Sequence, residues 1–416
     1  MSLPTEFVRP MQKNWQVGSL FGIPLYLDRS WFLILLLITA VDTNDVLAQG
    51  LVRSPLVAIF IGLGMALLLF GSVLLHELGH SLVAKYQGIS VKSITLFLFG
   101  GVAAIDRESQ TPTAAFAVAI AGPLVSLTLF GLFWGLWQYA PLGAVGVFFV
   151  RDIARLNLVL ALFNLIPGLP LDGGQMFKAI VWKWTGDRFT GIRYAAASGK
   201  FLGTMAIAFG LLAVLLLGAI GGLWLALIGW FVLRNANAYE RVSELQNVLL
   251  KLTAGQAMGR DFRVVNAHLS LREFAEQYLL LSPDPARPTY ASSEGRYRGL
   301  IRPQMLQKIE RSQWDYITLK DIALPLTEIP SVSENNNLVM VICALEKLEE
   351  PFITVLSPAG AVAGIIDRAQ IVQAIAKKYN INIPSQELQR IRSERVYPTG
   401  FPLVEIAQQL TAEGNG

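Results

Sequence analysis

Long apolar runs fill the first 240 residues. Leu56–Leu75 is free of Asp, Glu, Lys and Arg, and so are the stretches 109–150 and 201–233. A helix that crosses ~30 Å of hydrocarbon needs about 20 apolar residues, and each run reaches that length. Six spans are predicted: Ser30–Asp45, Leu56–Lys85, Thr113–Tyr139, Val147–Leu169, and two from the last run. As one helix that run would measure ~50 Å, so it is divided at Gly218-Ala219-Ile220-Gly221-Gly222, with its second half extending toward Asn237. The first span is short, and the fourth carries Arg151, Asp152 and Arg155 near its start. Ahead of the spans, Val17–Asp28 alternates turn and apolar residues, which suits a surface hairpin or an ordered lead-in loop. After Ala238 the charges return to ordinary soluble density, so 241–416 is a separate portion.

Composition agrees with this division. Apolar residues make up 53% of the 416 and charged residues 15%, against about 25% charged in a typical soluble chain. That excludes a disordered chain and a simple cytosolic enzyme. The pI is near 9.1, but the net charge is only +4, as expected for cytoplasmic loops of a membrane protein rather than for a nucleic-acid binder. With the N-terminus inside, the inner loops hold Arg9, Lys13, Lys85, Lys92, Arg107, Lys178, Lys183, Arg188, Arg193 and Arg234, and the outer loops Arg53 with Arg151 and Arg155. Both termini are therefore expected in the cytoplasm of a multi-pass cell-membrane protein. No signal peptide is expected from the first fourteen residues. The single cysteine, Cys343, excludes an internal disulfide framework and any cysteine-rich zinc module.

Chemistry concentrates at His76-Glu77-Leu78-Gly79-His80, at the end of the second run. Four residues is about one helical turn, so both imidazoles leave one face and can chelate one zinc ion. Glu77 leaves about 100° around the helix, where it reaches a water rather than the metal, the pattern of two ligands and a general base. Such a set arises by chance on a wet helix, but Glu and His inside a membrane helix are costly and mark function. A hydrolytic zinc takes a third protein ligand. Asp172, in Asn164-Leu165-Ile166-Pro167-Gly168-Leu169-Pro170-Leu171-Asp172-Gly173-Gly174, follows a span that ends on the cytoplasmic side, at a depth similar to that of His76. The prolines break the helix and the glycines permit close approach. The remaining histidine, His268, falls in the soluble portion and reads as a surface residue.

These two motifs together resemble the site-2 protease family of intramembrane zinc metalloproteases, over roughly residues 15–240. The resemblance implies His76, His80 and Asp172 as zinc ligands, Glu77 as general base, and Asn164 near the substrate or oxyanion. Ala121-Gly122-Pro123 resembles the family's Gly-Pro turn in its third core helix; where the family often continues with Asn, this chain has Ser126. Leu96-Phe97-Leu98-Phe99-Gly100-Gly101-Val102 resembles its membrane-dipping loop. That stretch, with Gly100 and Gly101, is either a strand edge for an unwound substrate or a plain buried turn.

Residues 252–309 and 318–380 read as two similar units, each helix, strand, Gly turn, strand, helix, with Ser293-Glu294-Gly295 and Pro358-Ala359-Gly360 at the turns. They are similar to a tandem CBS pair. That resemblance implies an adenine nucleotide (ATP or AMP) contacted by Asp367, or a homodimer contact, and a structural repeat without ligand fits equally. Residues 381–416 read as a polar helix-and-loop extension. The expected fold is thus an α-helical polytopic membrane protein of about six transmembrane helices, residues 1–240, followed by an α/β cytosolic CBS-pair domain, 241–380. The expected function is zinc-dependent endoproteolysis of a transmembrane segment of a single-pass membrane regulator near the cytoplasmic face. Its partners are that substrate and membrane lipid, with no nucleic acid. A CBS-regulated transporter or channel is the alternative; it leaves the histidine pair, Glu77 and Asp172 without a purpose. An inactive scaffold of the same fold is the third reading.

Overall fold

The computed structural model describes residues 15–98, 100–281, 287–348, 350–398 and 401–414. Arg9 and Lys13 of the inner loops, and Phe99 of the Leu96–Val102 stretch, lie outside the described residues. Two compact units divide the chain, one ending at Glu244 and the other running on from Leu245.

In the first unit the lead-in is a hairpin. Strands β1 (Trp15–Leu20) and β2 (Ile23–Leu27) join across Phe21-Gly22, whose φ angles of 51° and 75° are those a two-residue hairpin turn requires. Asp28 caps helix α1 (Arg29–Ala48), accepting from the Ser30 amide at 2.9 Å. The first span is therefore longer at both ends than its apolar run suggested. Helix α2 (Pro55–Tyr86) leads into β3 (Val91–Phe97) and β4 (Gly100–Ile105). β2 pairs parallel with β3, so the sheet order is β1-β2-β3-β4 and β4 is an edge. α2 packs against both β3 and β4. Of the Leu96–Val102 stretch, Leu96 and Phe97 end β3 and Gly100, Gly101 and Val102 begin β4.

Helix α3 (Pro112–Tyr139) starts from Thr111 with proline at its first position and contains Pro123. Helix α4 (Ala144–Asn164) stops five residues short of the Leu169 expected for the fourth span, because Pro167 disfavours helix at Ile166. After an irregular stretch the chain restarts as α5 (Asp172–Thr185), a helix the apolar runs did not foretell because only one of its faces is apolar. Gly186 closes α5, and Asp187 caps α6 (Arg188–Leu217), accepting from the amides of Phe189 and Thr190. Gly218, at φ 60°, ends α6, and α7 (Gly221–Lys251) follows, well past Asn237. A Cβ on Gly203 would come within 2.8 Å of the Gly229 carbonyl, and one on Gly229 within 2.6 Å of the Gly203 carbonyl. α6 and α7 thus cross backbone to backbone, as small residues allow where lipid supplies no hydrophobic drive between helices. Among the described residues α1, α2, α3 and α6 are long and apolar enough to cross a membrane. α4 carries charge near its middle, where Asp152 meets Arg151 at 2.9 Å and Arg155 at 3.7 Å.

The second unit holds α8 (Ala254–Ala257), β5 (Arg263–Asn266), α9 (Leu271–Phe274), β6 (Thr289–Ser293), β7 (Arg296–Ile301) and α10 (Pro303–Leu306). Next come α11 (Leu319–Ile322), β8 (Ser331–Ser333), α12 (Leu338–Glu346), β9 (Phe352–Leu356), β10 (Val362–Asp367) and α13 (Arg368–Lys378). β5 runs parallel to β6 and β6 antiparallel to β7; β8, β9 and β10 repeat that pattern. Each half therefore has one more short strand than its sequence suggested. The final helices, α14 (Ser385–Glu394) and α15 (Leu403–Gly414), fall in the stretch read as a polar helix-and-loop extension. Leu403, Ile406, Ala407 and Leu410 of α15 are buried in the same core as α12, so its apolar face at i, i+3, i+4 and i+7 is what the tail contributes.

The two sheets of this unit meet at a buried polar contact. Tyr290 is fully buried, and its hydroxyl lies 2.7 Å from Thr354 Oγ1. Burial pushes the Tyr290 phenol up to about 12, so it stays protonated at neutral pH. Tyr290→Phe strands the Thr354 hydroxyl and should cost about 1–3 kcal/mol, read as a lowered unfolding midpoint of this unit in the full chain. An unchanged midpoint would show the contact to be energetically idle.

Candidate metal centre

His76 and His80 sit one turn apart on α2, and both are buried. Asp172 is the first residue of α5. Its Oδ2 lies 3.0 Å from His76 Nε2 and 3.3 Å from His80 Nε2, and the two Nε2 atoms are 3.3 Å apart. One ligand atom from each residue falls within 4.8 Å of the others. The fold thus brings together the three side chains singled out in the sequence across 96 positions.

Local sequence explains how Asp172 arrives there. A Cβ on Gly173 would collide with the Leu165 carbonyl, and one on Gly174 with the backbone of Gly168 and Leu169. The glycine pair lets the first turn of α5 lie directly on the irregular segment after α4. That segment is held in turn by the Leu169 amide, which donates to the Ala195 carbonyl of α6 at 3.2 Å. Non-helical backbone at membrane depth is tolerated when protein buries it in this way.

The donor set suits zinc: two imidazole nitrogens and one carboxylate oxygen, with coordination positions left over. Gly122 of α3 supplies a second test of fit. A Cβ at that position would overlap Nε2 of His80 and come within 2.6 Å of Nε2 of His76. The space in front of both nitrogens is therefore kept clear by the absence of a side chain. His76, His80 and Asp172 could hold the ion there.

Glu77 points elsewhere, as its position on the helix requires. A Cβ on Gly101 of β4 would lie 2.5 Å from Glu77 Cγ, so this glycine admits the carboxylate arm beside the edge strand. Gly100, at φ 134°, has open space around its Cα; its role is conformational, at the tip of the β3–β4 pair. Asn164, the last residue of α4, has Nδ2 3.4 Å from His76 Nε2. His268 is exposed in the second unit, its amide donating to Asn266 Oδ1 at 3.0 Å. Asp367 caps α13, accepting from the Gln370 amide at 2.7 Å and from Arg392 Nε at 2.9 Å.

Two contacts escaped the sequence reading. Ser126 of α3 is fully buried with Oγ 3.0 Å from His76 Nδ1. The sequence marked Ser126 only as standing where the resembled family often has Asn; its contact with His76, 50 positions away, left no pattern. The other is a charge cluster in which Lys178 of α5, buried, and Arg188 of α6 both reach Glu108 Oε2, at 3.0 and 3.1 Å. Glu108 lies between β4 and α3, so the cluster ties the strand pair to the helix that begins with Asp172. Burial opposes ionisation of Glu108, but Lys178 and Arg188 outweigh it and hold the carboxyl below its usual range. Three charges separated by 70 and 80 positions carry no joint pattern in the sequence.

Peptidase family M50 matches residues 64–146 and 138–209. The zinc-metalloprotease relative sll0528 from Synechocystis sp. is 41% identical over 90% of this chain and 98% of its own length. The solved structure of a site-2 protease from Methanocaldococcus jannaschii aligns at 30% identity with TM-score 0.42, over 55% of this chain and 96% of that one. For the second unit, the CBS domain of a bacterial CNNM/CorC family Mg2+ transporter aligns at 16% identity with TM-score 0.26, over 33% of this chain and 82% of that one. The peptidase match and the metalloprotease relative do not favour the transporter or channel reading.

Gly122→Ala should abolish zinc binding while the helices persist by circular dichroism; zinc retained at one ion per chain would refute the cleared space. Glu108→Gln should lower the unfolding temperature at neutral pH. Because the folded Glu108 value is depressed, its stabilisation is present above the ordinary value of 4.5 and is lost as pH falls through the lower folded value. The gap between wild type and variant should therefore close in that acid window, and a gap independent of pH would contradict the ion cluster.

Proposed function

The chain belongs to peptidase family M50 and is a zinc metalloendopeptidase of the site-2 type, and from that premise we propose that it cuts a transmembrane segment of a single-pass regulatory protein near the cytoplasmic face. The observation that carries this reading is the convergence of His76, His80 and Asp172 at one point, with Glu77 beside the edge of β4.

His76, His80 and Asp172 would hold the zinc. When bound, zinc acidifies water and polarises a peptide carbonyl, so that attack proceeds near neutral pH. Glu77 takes the proton from the attacking water and returns it to the amide nitrogen of the leaving strand. Asn164 offers its amide hydrogens to the carbonyl oxygen as charge develops on it, the role of an oxyanion donor. A transmembrane helix hides its peptide bonds in its own hydrogen bonds, so the substrate must unwind before it is cut. The β4 edge, with Gly101 packed on Glu77, receives the unwound segment as an added strand and delivers it beside the base. Gly100 allows the tip of that strand pair its left-handed turn.

The finer topology follows the loop charges. α4 and α7 cross together with α1, α2, α3 and α6, giving six crossings and leaving both termini in the cytoplasm. The second unit acts as a tandem CBS pair, and its cavity of about 250 Å3, lined by Asp261, Arg287, Phe352, Asp367 and Arg392 among others, suits an adenine nucleotide such as ATP or AMP. The same unit pairs two copies of the chain through its CBS repeats.

Purified protein should carry about one zinc per chain. Glu77→Gln should keep that zinc and lose cleavage of a model transmembrane substrate, since the ligands remain and only the proton carrier is gone. Continued turnover by Glu77→Gln would exclude it as the general base.

A further inference from the structure

Helix α3 contacts both histidines at their Nδ1 atoms, the ring nitrogens that do not face Asp172. His80 Nδ1 lies 2.7 Å from the Val118 carbonyl oxygen, and His76 Nδ1 lies 3.0 Å from Ser126 Oγ. Between these contacts stands Gly122, whose missing side chain clears the space in front of both Nε2 atoms. Val118, Gly122 and Ser126 are spaced by four, so three successive turns of α3 present one face to the pair. A carbonyl oxygen can only accept a hydrogen bond. His80 Nδ1 therefore carries the proton, and its Nε2 is left with a lone pair. The hydroxyl of Ser126 can accept from His76 Nδ1 in the same sense, and no water competes for it, because Ser126 is 0% exposed and His76 3%.

We propose that this face of α3 sets the tautomer of both histidines, and that Ser126 is a positioning residue: it accepts the Nδ1 proton of His76 and so aims the Nε2 lone pair at the metal. The assignment rests on the zinc site proposed above. Ring nitrogens opposite a metal are commonly fixed by a hydrogen bond, and losing that partner weakens the metal by about 10–100-fold. For His80 the partner is main chain and survives any substitution of residue 118. For His76 it is a side chain, so the site has one outer contact that a single substitution removes.

The experiment measures zinc affinity of the full chain in detergent, by competition between apo-protein and a chromophoric chelator, alongside the unfolding temperature of the apo-protein. Ser126→Ala should weaken zinc about 10–100-fold with the apo unfolding temperature close to that of wild type. Ser126→Thr and Ser126→Val form a second pair, matched in volume and differing by the hydroxyl. Thr should bind zinc at least tenfold more tightly than Val, which keeps the proposal testable should the alanine variant not fold. Equal affinity of Ala and wild type, or of Thr and Val, overturns the role of Ser126. If wild type itself takes up no zinc, it is the underlying metal site that fails, an outcome distinct from either.

Discussion

Everything in the first unit is arranged around bringing a carboxylate to two imidazoles inside an apolar bundle. An unpaired histidine or aspartate is expensive there, and three together are tolerated only because each faces another. That constraint accounts for features that otherwise look unrelated. α4 ends early and its connection is irregular; two glycines sit where any side chain would collide; α3 carries a glycine opposite the ring nitrogens. Each is unfavourable locally, since glycine and proline weaken helices, and each is explained by the approach of Asp172 to His76 and His80.

The same geometry separates two jobs between neighbouring residues. His76 and Glu77 are adjacent in sequence but leave α2 in different directions, one toward α3 and α5, the other toward the sheet. The helix therefore places ligands on the side of the bundle and the base on the side of the edge strand. Peptide delivered along β4 would meet the base without passing between the ligands. Glu108, bound by Lys178 and Arg188, joins the loop after β4 to the helix that starts at Asp172, so strand and ligand are held to one frame.

Much of this was legible in the chain itself. The spacing of His76 and His80 fixed their common face, and the apolar runs located α1, α2, α3 and α6, including the break at Gly218. Asp172 was reached by matching depths, which works because helices of a bundle share one slab. What escaped has a common cause. α5 is amphipathic and too short to register as a run. The strands β1 to β4 form a sheet only through pairing of β2 with β3, a contact between segments separated by two helices. The contact of Ser126 with His76 and the Glu108 cluster span 50 to 80 positions, and each joins single polar residues of the sequence. In the second unit, polar residues on α15 disguised a helix whose other face fills the core.

The most direct test is X-ray absorption at the zinc edge on the full-length protein loaded with one equivalent of metal. A four-coordinate shell is expected, with two imidazole nitrogens at ~2.0 Å and the remainder oxygen, reduced by one imidazole in His80→Ala and retaining both in Glu77→Gln. A sulfur scatterer from Cys343, a shell without imidazole, or a shell unchanged by loss of His80 would contradict it.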